Sequence, residues 1–286
     1  MVMLASCPER LPAGKFFGVN HRSVRLSGVI LSDTHYTPAL GVPAHEHALA
    51  YFCLLLGGGY REEYGRRRRV TYDSLSVAFH PPEDEHQGNI SALGGRCFHA
   101  ELEPSWVERA RERGWLPAER VDWHAGGLVW LASRLYREFA SVERGSGLVI
   151  EGLVLEMLGA VLRQEPDVDR RRPRWLELAV ERLHDELAKP LTVAALARDL
   201  DVSPIRLSRA FRKHYRQSVG EYLRRLRVEQ AAKKLVDPAA SLAEVALACG
   251  FSDQSHFNRV FRRLTGWTPG QFQKALSESA NSRSGT

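Results

Sequence analysis

Two patterns of apolar positions divide the chain. Between residues 15 and 105, short runs rich in β-branched and aromatic residues, such as VTYDSLSVAFHPP, are separated by clusters of Gly, Pro and Asp. This spacing predicts a small all-β sandwich or barrel. From about Ser105 onward the apolar residues recur at helical spacing, so the rest of the chain is predicted to be helical.

Two apolar helical stripes occur between residues 127 and 163. They consist of Leu128, Leu131, Leu135 and Phe139, and then of Ile150, Leu153, Met157 and Val161. The ERGSG segment between them predicts a turn, and therefore an antiparallel helix pair. Stripes with this many apolar residues need a surface to pack against, so we expect the helix pair to form a dimer interface. Packing of both helices on their own domain would satisfy the same pattern.

The last third of the chain repeats itself, because residues 192–223 lie over residues 241–272. From the second helix onward the offset is 50 residues, since one extra residue sits in the turn of the second copy. Each copy has an i, i+3, i+4, i+7 apolar stripe, a short turn and a second helix with one apolar face. Two short helices joined by such a turn predict a helix-turn-helix, and the repeat predicts two of them. Helix-start signals agree, since Ser203 precedes Pro204, and Ser218 with Glu221 has the capping-box spacing.

The second helix of each copy is predicted to read DNA. Arg can fork onto guanine, and Gln or Asn onto adenine, whereas the single isoleucine can only meet an apolar group such as a thymine methyl. A solvated polar face would explain one such helix alone, but two matched helices favour DNA. The predicted DNA-contacting residues are Ile205, Arg206, Ser208, Arg209 and Arg212, then Gln254, Ser255, His256, Asn258, Arg259 and Arg262, with Lys213 and Arg263 as further phosphate contacts.

A helix predicted over residues 220–236 joins the two copies. At 1.5 Å per residue it is about 24 Å long, so it could hold the two reading helices about one DNA turn, ~34 Å, apart. One chain would then read two successive major grooves.

Charge is distributed unevenly along the chain. The net charge is +6, yet residues 174–286 carry 19 basic and 12 acidic residues, a net of +7. Such asymmetry indicates that this part binds a polyanion.

The segment QEPDVDRRRPR has the composition of a linker. The expected organisation is a sensor domain (1–126), a helix pair (127–163), a linker (164–174) and a DNA-binding domain (175–286).

The sequence shows no long apolar segment or signal peptide, and its four cysteines are far apart in sequence, without a C-x-x-C pair. These features predict a cytoplasmic protein that does not enter a membrane and has no disulfide framework.

Histidines cluster at two places in the β-rich part. His45 and His47 would point to the same side of a strand, and folding could bring His86 to them. Three imidazoles would suit a divalent metal such as Zn, Ni, Cu or Fe. A polar pocket, or histidines that cap strands through hydrogen bonds, is the alternative. Cys97, His99 and Glu101 share one strand face, and Cys53 lies elsewhere in this part, but no spacing requires these residues to bind a metal.

The segment GFSDQSHFNRVFRRLTGWTPGQF is very similar to the signature of the AraC/XylS family of bacterial transcription regulators. The resemblance covers residues 174–276 and implies sequence-specific binding to double-stranded promoter DNA, contact with RNA polymerase during activation, and control by a small effector. By position, it places base contacts at Ile205, Ser208 and Arg209, and at Gln254, Ser255, His256, Asn258 and Arg259.

The His-x-His motif, followed later by a Pro-rich turn that ends in His86, looks like a cupin. This resemblance implies a β-barrel sensor domain. Metal-binding cupins usually have a Glu a few residues after His-x-His, and residues 48–52 contain no carboxylate.

The predicted fold is α+β with two domains. It consists of a cupin-like β-barrel with a helical dimerisation pair, followed by an all-α domain with two helix-turn-helix units joined by a long helix. The predicted function is a homodimeric, effector-controlled or metal-controlled DNA-binding regulator, not an enzyme. A metal-cupin enzyme with an attached DNA domain, or a DNA binder that needs no ligand, is the alternative.

Overall fold

The structure, a computed structural model, describes residues 8–65, 68–114, 116–124, 126–163, 173–215 and 217–277. It divides into two compact units, Met1–Glu165 and Pro166–Thr286. Nearly all of the predicted linker, residues 164–174, lies outside the described residues. Within those residues no helix combines the length and the apolar character needed to cross a membrane.

One mixed sheet accounts for the β-rich part of the N-terminal unit. Its strands are β1 (Glu9–Leu11), β2 (Val19–Leu26), β3 (Val29–Tyr36), β4 (Gly41–His47), β5 (Ala50–Tyr64), β6 (Arg68–Asp73), β7 (Val77–His80), β8 (His86–Leu102) and β9 (Val121–Trp123). The main strand order is β1-β4-β8-β5-β7-β9, with β3 also pairing with β8, β2 with β3, and β6 with β5. Among the strand pairs of the described residues, β1 with β4 is parallel and the others are antiparallel. The predicted β-rich N-terminal part is therefore confirmed.

The long strands β5 and β8 bend where their glycines meet. Their pairing register shifts between Leu55 and Gly57, and again between Gly58 and Tyr60. Gly58 has a φ of +80°, and a Cβ there would overlap the carbonyl oxygen of Gly94. Only glycine fits this position. Because of the bend, β8 pairs with β4 near its start and with β3 near its end.

The prediction of continuous helix from Ser105 is wrong at β9. Helix α1 (Pro104–Arg113) is followed by β9, which returns to the sheet and pairs with β7. This strand has only three residues, too few for apolar alternation to be recognised.

The predicted helix pair consists of α2 (Gly127–Ala140) and α3 (Ser146–Leu162). All of the predicted apolar positions are buried except Leu131, which is half-buried. Helix α2 packs on the sheet of its own unit, where Tyr136 and Phe139 both contact Phe98. Part of the apolar surface is therefore covered within the unit.

The described residues of the C-terminal unit form seven helices. They are α4 (Arg174–Asp185), α5 (Val193–Asp199), α6 (Pro204–Tyr215), α7 (Val219–Lys234), α8 (Leu242–Ala248), α9 (Gln254–Thr265) and α10 (Pro269–Ser277). The pairs α5–α6 and α8–α9 are the two predicted helix-turn-helix units, and α7 joins them. The joining helix ends two residues before the predicted residue 236.

The two turns have the same backbone hydrogen bonds. The amide of Val202 donates to the carbonyl of Ala197, and the amide of Phe251 donates to the carbonyl of Ala246, both at 3.0 Å. The preceding residue has a positive φ in each copy, 52° at Asp201 and 79° at Gly250. The internal repeat of the sequence is thus a repeat of backbone conformation.

Side-chain caps start the predicted reading helices. Ser203 Oγ accepts a hydrogen bond from the Arg206 amide at 3.2 Å, and Asp253 Oδ1 accepts one from the His256 amide at 2.7 Å. The extra residue in the second turn thus leaves a capping side chain at the same place.

Candidate functional site

Each predicted reading helix has a fully buried apolar side. Leu207 and Phe211 are buried on α6, and Phe257 and Phe261 are buried on α9. Leu264, which the apolar pattern placed in the same core, is only half-buried. These side chains fix the rotation of each helix, so the opposite side faces outward.

The residues predicted to contact DNA occupy that outward side. Exposed residues are Ile205, Arg206, Arg209 and Arg212 on α6, and Gln254, Ser255, Arg259 and Arg262 on α9, whereas Ser208, His256 and Asn258 are half-buried. Their contact with DNA stays a prediction, and the half-buried side chains present fewer atoms to a partner than the arginines do.

Two of these side chains are held by neighbours. The Arg206 guanidinium lies 5.3 Å from the ring centroid of Trp175. His256 Nδ1 lies 3.1 Å from Ser252 Oγ, and its ring packs edge-on against Phe251. Side chains that are ordered before binding lose less conformational freedom on binding.

A second cluster of functional groups lies inside the N-terminal unit. His45 on β4 is directly opposite His86 on β8, and His47 lies two residues along the same side of β4. Ring centroids are 4.2 Å apart for His45 and His86 and 5.0 Å apart for His45 and His47. One ring nitrogen of each residue lies within 4.8 Å of the others, and all three residues are buried. The structure therefore brings the predicted trio together.

Backbone carbonyl groups orient two of these rings. His45 Nδ1 lies 2.8 Å from the carbonyl oxygen of Pro43, and His86 Nδ1 lies 2.8 Å from that of Asp84. A carbonyl oxygen can only accept, so each Nδ1 carries the proton and each Nε2 is an unprotonated acceptor. Metal-binding histidines in proteins are oriented in this way. Nε2 of His86 lies 3.3 Å from the hydroxyl of Tyr51, which can donate to it.

A carboxylate and a fourth histidine complete the cluster, and sequence reasoning missed both. Glu62, His80 and His86 form another group whose ligand atoms lie within 4.8 Å of one another. His80 Nδ1 lies 3.0 Å from Asp84 Oδ2. Glu62 Oε1 lies 2.7 Å from Arg120 Nη1. No local spacing could have identified Glu62, because it lies far along β5 from the His-x-His motif.

Burial is the main cause of the pKa shifts in this cluster. It lowers the pKa of His47 to about 2 and that of His86 and His99 to about 3, and it also lowers the pKa of His45 and His80. It raises the pKa of Glu62 to about 8 and that of Glu101 to about 7. The imidazoles are therefore neutral near pH 7, the form in which they bind metals.

The cluster lines a cavity of about 40 Å³. On this measure one water needs about 10–15 Å³, so two or three waters or a hydrated ion would fill it. A sugar-sized effector would not fit without movement of the surrounding side chains, among them Phe16, Tyr51 and Tyr60.

Comparison with known proteins identifies the C-terminal part. Residues 196–275 match a family model described as a helix-turn-helix domain. The chain is 35% identical over 188 residues to the HTH-type transcriptional regulator GlxA of Rhizobium meliloti (strain 1021). This alignment covers 65% of this chain and 50% of GlxA. It is 34% identical over 128 residues to the uncharacterized HTH-type transcriptional regulator YpdC of Escherichia coli (strain K12). This second alignment covers 43% of this chain and 45% of YpdC.

A solved structure is similar to the same part of the chain. The crystal structure of a transcriptional regulator with an AraC-type DNA-binding domain, from Chromobacterium violaceum, is 27% identical over 38% of this chain and 94% of that one, with a TM-score of 0.34. The chain spans about half the length of the curated relatives that it matches.

Proposed function

Since this chain belongs to the AraC family of transcription regulators through its C-terminal helix-turn-helix unit, we propose that the protein binds specific promoter sequences as a homodimer and responds to an ion bound in its N-terminal unit. One observation carries the DNA part of this proposal. Two helices with the same turn and the same buried side expose polar residues in the part of the chain, residues 174–286, that carries a net charge of +7. Arginines on such helices bind phosphates and guanine edges.

The joining helix supports reading of two grooves by one chain. Helix α7 has 16 residues, which makes it about 24 Å long. Its buried side includes Val228 and Ala231, so it packs within the unit and acts as a rigid spacer. Contact with RNA polymerase at the promoter is part of the same proposal and rests on the family resemblance alone.

The ion is a divalent metal, Zn²⁺, Ni²⁺, Cu²⁺ or Fe²⁺, bound by His45, His47 and His86. Three features support this part of the proposal. The rings converge, two of them have an unprotonated Nε2, and Nδ1 of His47 is buried without a hydrogen-bond partner among the described residues. Such an orphaned nitrogen in a polar cavity costs free energy unless something binds it. Near the trio, the carboxyl group that the His-x-His motif lacks belongs to Glu62, whose Oε1 lies 3.6 Å from His86 Nε2 and is paired with Arg120.

The metal acts as the controlling ligand only if it binds one arrangement of the protein more tightly than another. A bound metal of this kind holds its ligands in one geometry. Cupin-like enzymatic chemistry would also need an acid and a base at a substrate site, whereas a cavity of about 40 Å³ leaves little room for a substrate.

The homodimer uses the outer side of α3. Leu148, Val149 and Leu155 are exposed there, while the inner side of the helix is buried within the unit. Leu148, Gly152 and Leu155 follow one another at helical spacing, so the exposed residues form a continuous stripe. This stripe is the outer side of the helix pair that the sequence predicts as the interface.

The DNA proposal is tested by selecting bound sequences from a random pool with the full chain, then measuring binding by fluorescence anisotropy. If Arg259 forks onto a guanine, Arg259→Ala weakens specific binding by about 1–3 kcal/mol and relaxes the preference at one base. If Arg262 binds a phosphate, Arg262→Ala weakens all sequences alike and lowers the salt slope by about 1.

The matched control is Arg144→Ala, which removes the same charge from an exposed turn of the N-terminal unit. It should leave the sequence preference unchanged. Equal losses for Arg259→Ala and Arg144→Ala would contradict reading by α9. Absence of any salt-sensitive binding to double-stranded DNA by the full chain would overturn the DNA proposal.

The metal proposal is tested by competition titration with Zn²⁺ on the full chain. The double variant His45→Ala/His47→Ala should lose the histidine site, whereas His21→Ala, a change at an exposed histidine, should keep it. DNA affinity is measured with and without Zn²⁺ in all three proteins. A double variant that binds as much metal as the parent contradicts the histidine site. A DNA affinity that is the same with and without bound Zn²⁺ contradicts the regulatory role of the metal.

A further inference from the structure

Two cysteines and a histidine meet on the same side of the sheet, apart from the histidine trio. Cys53 on β5 lies directly opposite His99 on β8, and Cys97 lies two residues before His99 on the same side of β8. Their ligand atoms, the two sulfurs and one imidazole nitrogen, lie within 4.8 Å of one another. Both cysteines are free thiols. The two residues are 44 positions apart in the sequence, and only the pairing of β5 with β8 brings them together.

This group is separate from the histidine trio. The sets Cys53, Cys97, His99 and His45, His47, His86 share no residue. Both line the same cavity, and the Phe16 ring packs against His99 at 3.6 Å and His47 at 4.8 Å between centroids. Two ions could therefore be bound without competing for a ligand.

Burial and orientation favour ligation over other roles for these side chains. Cys97 and His99 are buried. Thr34 Oγ1 lies 3.2 Å from His99 Nδ1, which orients the ring. A thiol pair and an oriented imidazole on one rigid strand pair supply soft and borderline donors at fixed positions.

We propose that Cys53, Cys97 and His99 form a second metal site, for a thiophilic divalent cation such as Zn²⁺. Binding forms two metal–sulfur bonds and one metal–nitrogen bond, and the two thiol protons leave to solvent. The two thiolates offset the charge of the cation, so the bound group is neutral. A neutral group avoids the desolvation cost of a buried net charge. The fourth tetrahedral position is left for a water in the cavity.

The charge balance distinguishes the two sites. Three neutral imidazoles leave the charge of a divalent ion uncompensated, apart from Glu62 nearby, whereas the thiolates compensate it fully. Binding at the cysteine site releases two thiol protons to solvent, so affinity there should rise with pH.

The experiment uses the full chain, reduced, metal-free and kept under nitrogen, titrated with Co²⁺ as a spectroscopic probe. Thiolate ligation of Co²⁺ produces sulfur-to-metal charge-transfer absorption in the near ultraviolet, and histidine ligation does not. The band should appear in the parent and in His45→Ala/His47→Ala, and Zn²⁺ should bleach it. Cys53→Ser and Cys97→Ser should each weaken or abolish it, while Cys249→Ser, a change in the C-terminal unit, should leave it unchanged.

Several outcomes would overturn the proposal. They are a folded parent without the band, a band that survives in both Cys53→Ser and Cys97→Ser, and a band that disappears in His45→Ala/His47→Ala. Failure of the histidine site alone leaves the band in place, so the two proposals are tested separately.

Should the serine variants not fold, the parent itself provides the test. Zn²⁺ should protect Cys53 and Cys97 from alkylation, as mapped by peptide mass spectrometry, without protecting Cys249. Equal alkylation of all three cysteines with and without Zn²⁺ would also overturn the proposal.

Discussion

Replacing Gly250 by alanine tests how the second helix-turn-helix is held in the C-terminal unit. Gly250 has a φ of +79°, and a Cβ there would lie 2.7 Å from the carbonyl oxygen of Leu187 and 2.9 Å from Cα of Ala188. Both neighbours are backbone atoms, so no flexible side chain can move aside.

The expected loss of stability has two parts. An L-residue in the left-handed region costs about 1–2 kcal/mol. Relief of the overlap requires the segment at Leu187 to move, and this segment is held by Arg227, whose Nε donates to the Leu187 carbonyl at 2.7 Å. A hydrogen bond from a charged group contributes about 1.5–3 kcal/mol. Together these terms predict a loss of about 2.5–5 kcal/mol.

Thermal unfolding of the full chain, followed by circular dichroism, measures this loss. For a domain of about 100 residues, 1 kcal/mol lowers Tm by roughly 4 °C or more, so the transition of the C-terminal unit should fall by at least about 10 °C. Gly270→Ala is the control, because its Cβ would meet only Leu242 Cδ1 at 3.7 Å and the residue lies in α10. A Tm for Gly250→Ala within about 2 °C of the control would refute the reasoning.

Three further predictions concern the N-terminal unit. In the metal-free protein the lowered pKa values of His47, His86 and His99 mean that the unfolded chain binds more protons than the native one below pH 6.5, so stability is lost as the pH falls. The buried glutamates have raised pKa values and oppose this loss down to about pH 4.5. Below that pH, we expect the free energy of unfolding, measured by urea titration, to fall by about 3–4 kcal/mol per pH unit. A free energy of unfolding that does not change with pH would contradict the burial of neutral histidines. Asp33→Ala removes the partner of buried Arg96, which donates to Asp33 at 2.6 Å, and should cost about 3–5 kcal/mol in the same titration; a loss below about 1 kcal/mol would show that Arg96 is satisfied by other groups. If the protein forms the proposed dimer through α3, Leu155→Lys should sediment as a monomer where the parent sediments as a dimer; a monomeric parent, or a variant that sediments like a dimeric parent, would contradict this side of α3 as the interface.

The two helix-turn-helix units could be predicted from the sequence because their determinants are local. Apolar residues three and four apart set the buried side of each helix, and the capping residues Ser203 and Ser218 mark where helices begin. The strand that carries His45 and His47 is also local information, since alternate residues of a strand share a side.

The contents of the cavity depended on contacts between strands distant in sequence. Glu62, His80 and the pair Cys53–Cys97 come together only because β5, β7 and β8 are neighbours with a particular register. A shift of one residue in that register would turn these side chains to the other face, and no local pattern specifies which register is adopted. Likewise β9 is a strand only because it finds β7 as a partner.

By itself, then, the sequence determined the repeated DNA-binding architecture and the placement of two histidines on one strand, since helix periodicity, caps and strand alternation operate over a few residues. Only the tertiary structure decided which acids, thiols and further histidines surround them, because the pairing of distant strands is selected by burial of the whole sheet.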